Sequence, residues 1–345
     1  MRSALFCLEA VLLMGCVRDP VSIDQAIPVA SAKGVYIVNE GTWGRGNASL
    51  SYYDLERFQL YNDVFTSVNG RNLGDVANQM VIHGDRGFIV INNSDRVEVI
   101  DIQSNISVGT ISTGSGTSPW QIVFADDTIG MVTALYDNSV LLLGIRSMSV
   151  IGRVPVGSNP EGIAVAAGRA FVANSGLGSG STVTVIDIAS RKAIKTMSVG
   201  DNPAGVVPSP DGMIYVVCAG YYDFSNPSND TPAKLKIIDP LSLSVVDSLF
   251  LGDHASTFAV SRDGWGYVPT SSKVLAIDTR ARRVVGTFVS GSYYGVGVED
   301  VSGDVYLTDP KNYVLPGEVA IFAANGQFRT KFGTGVIPGS IAFKR

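Results

Sequence analysis

Nine aromatic residues, Trp43, Trp120, Tyr136, Tyr221, Tyr222, Phe224, Tyr293, Tyr294 and Tyr313, recur in short segments rich in amides and charges. Arg45 lies two residues after Trp43, Asp137 adjoins Tyr136, and Lys311-Asn312 precede Tyr313, while Asn93 and Glu161 fall in comparable polar segments. Flat rings of this kind stack on a broad organic molecule, and the neighbouring polar groups bond to its edge. The same mixture suits an anchor for a protein partner. Catalytic sets are harder to find. The two histidines, His83 and His254, are far apart, and no zinc spacing, Walker loop, nucleophile elbow or dinucleotide fingerprint occurs in its proper context. The expectation is a binding protein with no enzymatic activity, no catalytic cofactor and no metal site.

The elements that position these residues follow from an internal repeat of roughly 40 residues. Each copy runs as an apolar strand, a Gly/Asp turn, a second apolar strand, a polar link, a third strand ending in Asp and a fourth returning to Gly. Its first two strands read 76–82 with 87–90, 119–123 with 130–132, 160–165 with 170–174, 203–207 with 214–217, 257–260 with 266–268, and 294–298 with 305–307. A first strand without a second ends the chain at 338–343, and a second strand without a first stands at 34–40. Six whole copies and two halves make seven. The spacing therefore predicts an all-β, seven-bladed β-propeller of four-stranded blades, closed by pairing of the N- and C-terminal strands, because closure removes exposed sheet edges.

Closure decides what can meet. The links from a fourth strand to the next first strand, and from a second strand to a third, lie on one face, called upper here, and all nine aromatics fall in those links or at their ends. Residues remote in sequence then surround one opening. The recurring acids Asp54, Asp101, Asp187, Asp239 and Asp278 are read differently. One per blade at a strand end, they are expected to accept backbone N–H bonds from the following turn. Gly144 and Ala323 fill that slot in two blades, whose turns should be held less firmly.

The ends and the composition bear on location. Arg2, an apolar stretch and Leu13-Met14-Gly15-Cys16 form an export signal with a lipobox-like end. Residues 1–15 are expected to be a lipoprotein signal peptide, Cys16 the lipidated residue, 16–33 a tether and 34–345 the propeller. The remaining Cys218 sits in an apolar run and reads as a buried small side chain. With 26 Lys+Arg against 31 Asp+Glu, the chain has no general attraction for nucleic acid.

Phe171-Val172-Ala173-Asn174, Tyr215-Val216-Val217-Cys218 and Tyr267-Val268-Pro269-Thr270 resemble the tyrosine-valine-threonine-asparagine repeat of surface-layer and YncE-like propellers. Val38-Asn39-Glu40-Gly41, 46–53, 69–78 and Ile91-Asn92-Asn93-Ser94 are similar to segments of a family of Bacteroidetes surface lipoproteins. That resemblance spans 34–345. It implies a lipid-anchored protein at the outer membrane and cell surface that captures cobalamin or another corrinoid, as cargo and not as a catalytic cofactor, and passes it to a TonB-dependent outer-membrane transporter. Other readings remain at this stage: an interaction scaffold of the cell envelope, or a metal-dependent enzyme of the lactonase type.

Overall fold

The computed structural model describes residues 33–345 apart from Phe224 and Ser256; the expected signal peptide, Cys16 and the expected tether up to residue 32 lie outside the described residues. Seven four-stranded antiparallel sheets form the blades. From the axis outward, blade 1 contains Pro338–Lys344, Gly34–Asn39, Ser49–Asp54 and Gln59–Tyr61. The other six take their strands consecutively, and their inner strands are Ala77–His83, Pro119–Phe124, Pro160–Ala166, Pro203–Pro208, Ala259–Val260 and Val296–Val298.

Burial follows depth within the blade. Second strands are covered on both sides by neighbouring blades, so Val35, Tyr36, Ile37 and Val38 are all fully buried. They read as unbroken apolar runs for that reason. Fourth strands are covered on one side only, and Ser149–Pro155 alternates between exposed and covered positions.

The ring closes as the half-repeats predict. Gly34–Asn39 pairs antiparallel with Pro338–Lys344, from Gly34 opposite Lys344 to Asn39 opposite Pro338. A buried polar knot fastens the seam to blade 2: Lys344 Nζ donates to Ile102 O at 2.8 Å, and Tyr36 Oη donates to Asn105 Oδ1 at 2.6 Å. One element was not foreseen. After the short outer strand of blade 1, a single helix, Val64–Asn69, packs Val64 and Phe65 into the core between blades 1 and 2.

The recurring acids act as the sequence suggests. Asp54 Oδ1 accepts from the Glu56 and Arg57 N–H groups at 2.8 and 2.9 Å, and Asp101 Oδ1 does so from Gln103 and Ser104 at 3.0 and 2.8 Å. Where the acid is missing, other bonds serve: Ser147 Oγ donates to Gly144 O, and the Gly326 N–H to Ala323 O. Because the Asp54 side chain is fully buried, Asp54→Ala leaves those donors unpaired. Chemical denaturation should show a loss of about 1–3 kcal/mol, whereas an unchanged midpoint would refute this role.

Candidate functional site

The inner strands begin at the upper face, and a local irregularity sets what they show to the axis. In five blades the pairing skips at the second position of the inner strand: around Asn78, Trp120-Gln121, Glu161-Gly162, Ala204 and Gly339. An extra residue in one strand is left out of the ladder, and its side chain is re-aimed. Pro119, Pro160, Pro203 and Pro338 stand immediately before four of these positions, where the bulge follows the first residue of the strand. The result is an axial cavity of about 490 Å³ whose lining includes Asn78, Trp120, Glu161, Ala204, Tyr294 and Gly339. Its deeper wall is apolar, with Val81, Val123, Val165, Val207 and Ile341.

Blade-to-blade bonds hold this lining in place. Gln79 Oε1 accepts from the Ile122 N–H at 2.7 Å, joining blade 2 to blade 3. Thr133 Oγ1 accepts from the Gln121 N–H at 3.0 Å and donates to Glu161 O at 2.7 Å, joining blade 3 to blade 4.

Glu40 also lines the cavity, although no aromatic residue adjoins it in sequence to mark it. It directly follows the second strand of blade 1. A Cβ built on Gly339 would lie 2.5 Å from Glu40 Oε1, so the missing side chain there makes the room this carboxyl group occupies. Burial pushes the Glu40 carboxyl up to about 7, against the opposing effect of its hydrogen bond with Tyr294. Burial raises Glu161 too, while the bond it accepts from Ser175 Oγ at 2.6 Å works the other way. The Tyr294 hydroxyl is pushed well up, first by burial and then by the nearby Glu40 carboxylate, with Glu161 contributing.

A raised carboxyl group favours the protonated fold. For Glu40 this stabilisation is complete below the unfolded value near 4.5 and is lost as pH rises toward about 7, since the folded state binds the extra proton across that window. Over the interval the loss is roughly 3 kcal/mol at most. Glu40→Gln should flatten the stability profile between those limits; an unaltered slope would contradict the assignment.

The exposed aromatics lie in links on the same upper face. Trp43, Tyr136, Tyr221, Tyr222 and Tyr313 are 60, 54, 41, 41 and 52% exposed and come from the second-to-third links of blades 1, 3, 5 and 7. Their loops are tethered. Asp75 accepts from the Gly44 N–H at 2.9 Å and from Asn93 Nδ2 at 2.6 Å, which fixes the segment bearing Trp43 and exposed Arg45 and commits the Asn93 amide to that task. Asp137 accepts from Ser139 Oγ and pairs with Arg153 at 3.0 Å. In blade 5, the Tyr221 N–H donates to Thr231 Oγ1, which donates to Asp201. The Tyr222 ring stands edge-on to His254 at 4.6 Å. Phe224 lies outside the described residues.

Adjacent tyrosines divide their roles. Tyr294 lines the cavity and meets exposed Tyr313 edge-on at 5.9 Å, so ring contact runs from mouth to channel. Tyr293 instead packs among apolar side chains between blades 6 and 7, 6.3 Å from Phe322. The upper links also expose the aliphatic side chains Leu177, Val314 and Leu315. Among the described residues no three His, Cys, Asp or Glu side chains gather as a metal-holding group. Cys218 is buried, and that burial pushes its thiol up to about 12.

Residues 33–222 match the profile of the family described as Domain of unknown function (DUF5074). The chain belongs to that family. No curated protein sequence matches this DUF5074 member significantly. In fold it is similar to a quinonprotein alcohol dehydrogenase-like protein from Bacteroides thetaiotaomicron, at 14% identity and a TM-score of 0.68, covering 91% of this chain and 79% of that one. Hydrazine synthase from Kuenenia stuttgartiensis gives 17% identity and 0.65, covering 77% and 89%. Apo AztD from Citrobacter koseri gives 13% and 0.57, covering 90% and 97%. At such identities the likeness is one of fold. The DUF5074 chain is a seven-bladed propeller built like these bacterial proteins.

Proposed function

We propose that this protein captures an organic ligand on its upper face without changing it covalently, that the ligand is cobalamin or another corrinoid, and that the protein hands it to a TonB-dependent outer-membrane transporter. The carrying observation is that exposed Trp43, Tyr136, Tyr221, Tyr222 and Tyr313 all lie in second-to-third links, on the same face as the end of the cavity lined by Trp120 and Tyr294. A macrocycle is broad, flat and apolar with a polar edge. It matches a ring of stacking surfaces interleaved with hydrogen-bonding groups. The choice of a corrinoid within that class rests on the similarity of the segments around Val38-Asn39-Glu40-Gly41 and Ile91-Asn92-Asn93-Ser94 to surface lipoproteins.

Leu177, Val314 and Leu315 favour a protein docking on the same face, since exposed aliphatic side chains beside a ligand mouth suit a dry contact. A lipid on Cys16 would hold the propeller beside its transporter in the outer membrane at the cell surface, and 16–33 would set its reach. Titration of the purified protein with cobinamide tests the ligand: quenching of tryptophan emission that saturates, with a calorimetric heat that is lost when the protein is first loaded with cobalamin, is the expected result. Absence of both quenching and calorimetric heat would defeat the corrinoid reading.

A further inference from the structure

Below the aromatic mouth, the channel has a chemistry of its own. Two carboxyl groups, Glu40 and Glu161, line it from blades 1 and 4, and no Lys, Arg or His is among the described residues lining it. Each carboxyl accepts from a neutral hydroxyl, Tyr294 for Glu40 and Ser175 for Glu161. Trp120 and Tyr294 line the same space, and aromatic rings attract cations over their faces. The lining therefore holds two carboxyl groups and two aromatic rings without a positive charge to balance them.

A second observation points to the rest of the ligand. Asn78 lines the same cavity, and its Nδ2 atom is buried with no hydrogen-bond partner. A buried unpaired donor is costly and calls for an acceptor oxygen. Glutamate oxygens on the neighbouring blade do not serve it in this structure. The room available falls in the range that takes a small organic molecule, well above what one water or a bare metal ion fills.

We infer that the axial channel is a binding site for a small hydroxylated organic ammonium, of the amino-sugar or amino-alcohol class, with its ammonium between Glu40, Glu161 and the Trp120 and Tyr294 rings and a neutral hydroxyl oxygen on Asn78 Nδ2. A cation restores the ionised form of both carboxyl groups, which burial alone disfavours. This inference does not rest on what the rim holds, because every residue it uses lies on the channel wall.

The test uses the purified protein with no corrinoid present. Emission is followed in a protein carrying Trp43→Phe and Trp265→Phe, so that Trp120 alone reports, on addition of glucosamine, glucose or cyclohexylamine. Glucosamine is expected to give a saturable change, cyclohexylamine to bind about tenfold more weakly for lack of hydroxyl oxygens, and glucose to give none at the same concentration. Glu161→Gln and Glu40→Gln should each weaken glucosamine about tenfold or more. Asn78→Leu should erase the preference for glucosamine over cyclohexylamine while a cyclohexylamine response persists, which separates loss of the contact from loss of the fold. Equal responses to glucose and glucosamine, no response to either amine in a protein that unfolds cooperatively, or saturation by calcium chloride in their place would each overturn the inference. A protein that quenches with cobinamide but ignores amines would refute the channel site alone, and the reverse result would refute the corrinoid reading alone.

Discussion

Deleting residues 338–345 should leave a chain that no longer folds to a compact monomer. The strand Pro338–Lys344 is the whole inner wall of blade 1, and its loss uncovers the edge of Gly34–Asn39, whose residues are otherwise buried. Each ladder hydrogen bond is worth about 1 kcal/mol, and an edge left unpaired beside the axis costs more than the bond itself. The Lys344–Ile102 bond and the packing of Ile341 and Phe343 against Val35, Ile37 and Tyr306 go with it. Together these approach the total stability of an ordinary domain, about 5–15 kcal/mol. Size-exclusion chromatography with circular dichroism reads the outcome: an expanded or aggregated species, partly restored by adding a peptide of residues 336–345, which can re-pair as a strand in trans. A truncated protein with the full-length elution volume and melting curve would show that the seam is not what closes the ring.

The second large effect concerns the mouth. Trp120→Ala combined with Tyr221→Ala and Tyr222→Ala removes a channel-wall ring and the paired rings of the longest upper link, and it should lower corrinoid affinity by at least about 30-fold, about 2 kcal/mol. The fold should survive, because Tyr221 and Tyr222 are exposed and Trp120 is half-buried at the open end of an inner strand. Tyr293→Ala is the informative contrast. That ring packs between blades, so its removal should lower the melting temperature and leave affinity near the parent value. If Tyr293→Ala weakened binding as much as the triple change, rim stacking would not be the source of affinity.

These contrasts mark what sequence could reveal. The repeat, the number of blades and the closing seam were legible, because every blade buries its second strand on both sides and so repeats an unbroken apolar run. The Asp at five of the seven third-strand ends was legible as well, since its turn lies within a few residues of it. Facts that depend on the register between strands were not. The bulges that turn Asn78, Trp120 and Glu161 to the axis arise from how first and second strands pair, and nothing in either strand alone states it. Neighbours such as Tyr293 and Tyr294, in the link before the strand Val296–Val298, differ only in whether they turn between the blades or toward the axis. Glu40 enters the channel because Gly339, at the other end of the chain, leaves it space. Asp137 carries the right chemistry for a ligand contact, yet it already holds Arg153, a partner sixteen residues on. The short helix Val64–Asn69 replaces length that a fourth strand takes in other blades, and its two buried residues are too few to produce a visible helical period.

The most direct measurement is a crystal structure of the purified protein soaked or grown with cobinamide. Density for the macrocycle against Trp43, Tyr136, Tyr221, Tyr222 or Tyr313, over the opening where Trp120 and Tyr294 begin the channel, is what the convergence of these links predicts. Well-ordered macrocycle density on the outer strands or at the lower turns, with the upper mouth empty, would contradict it.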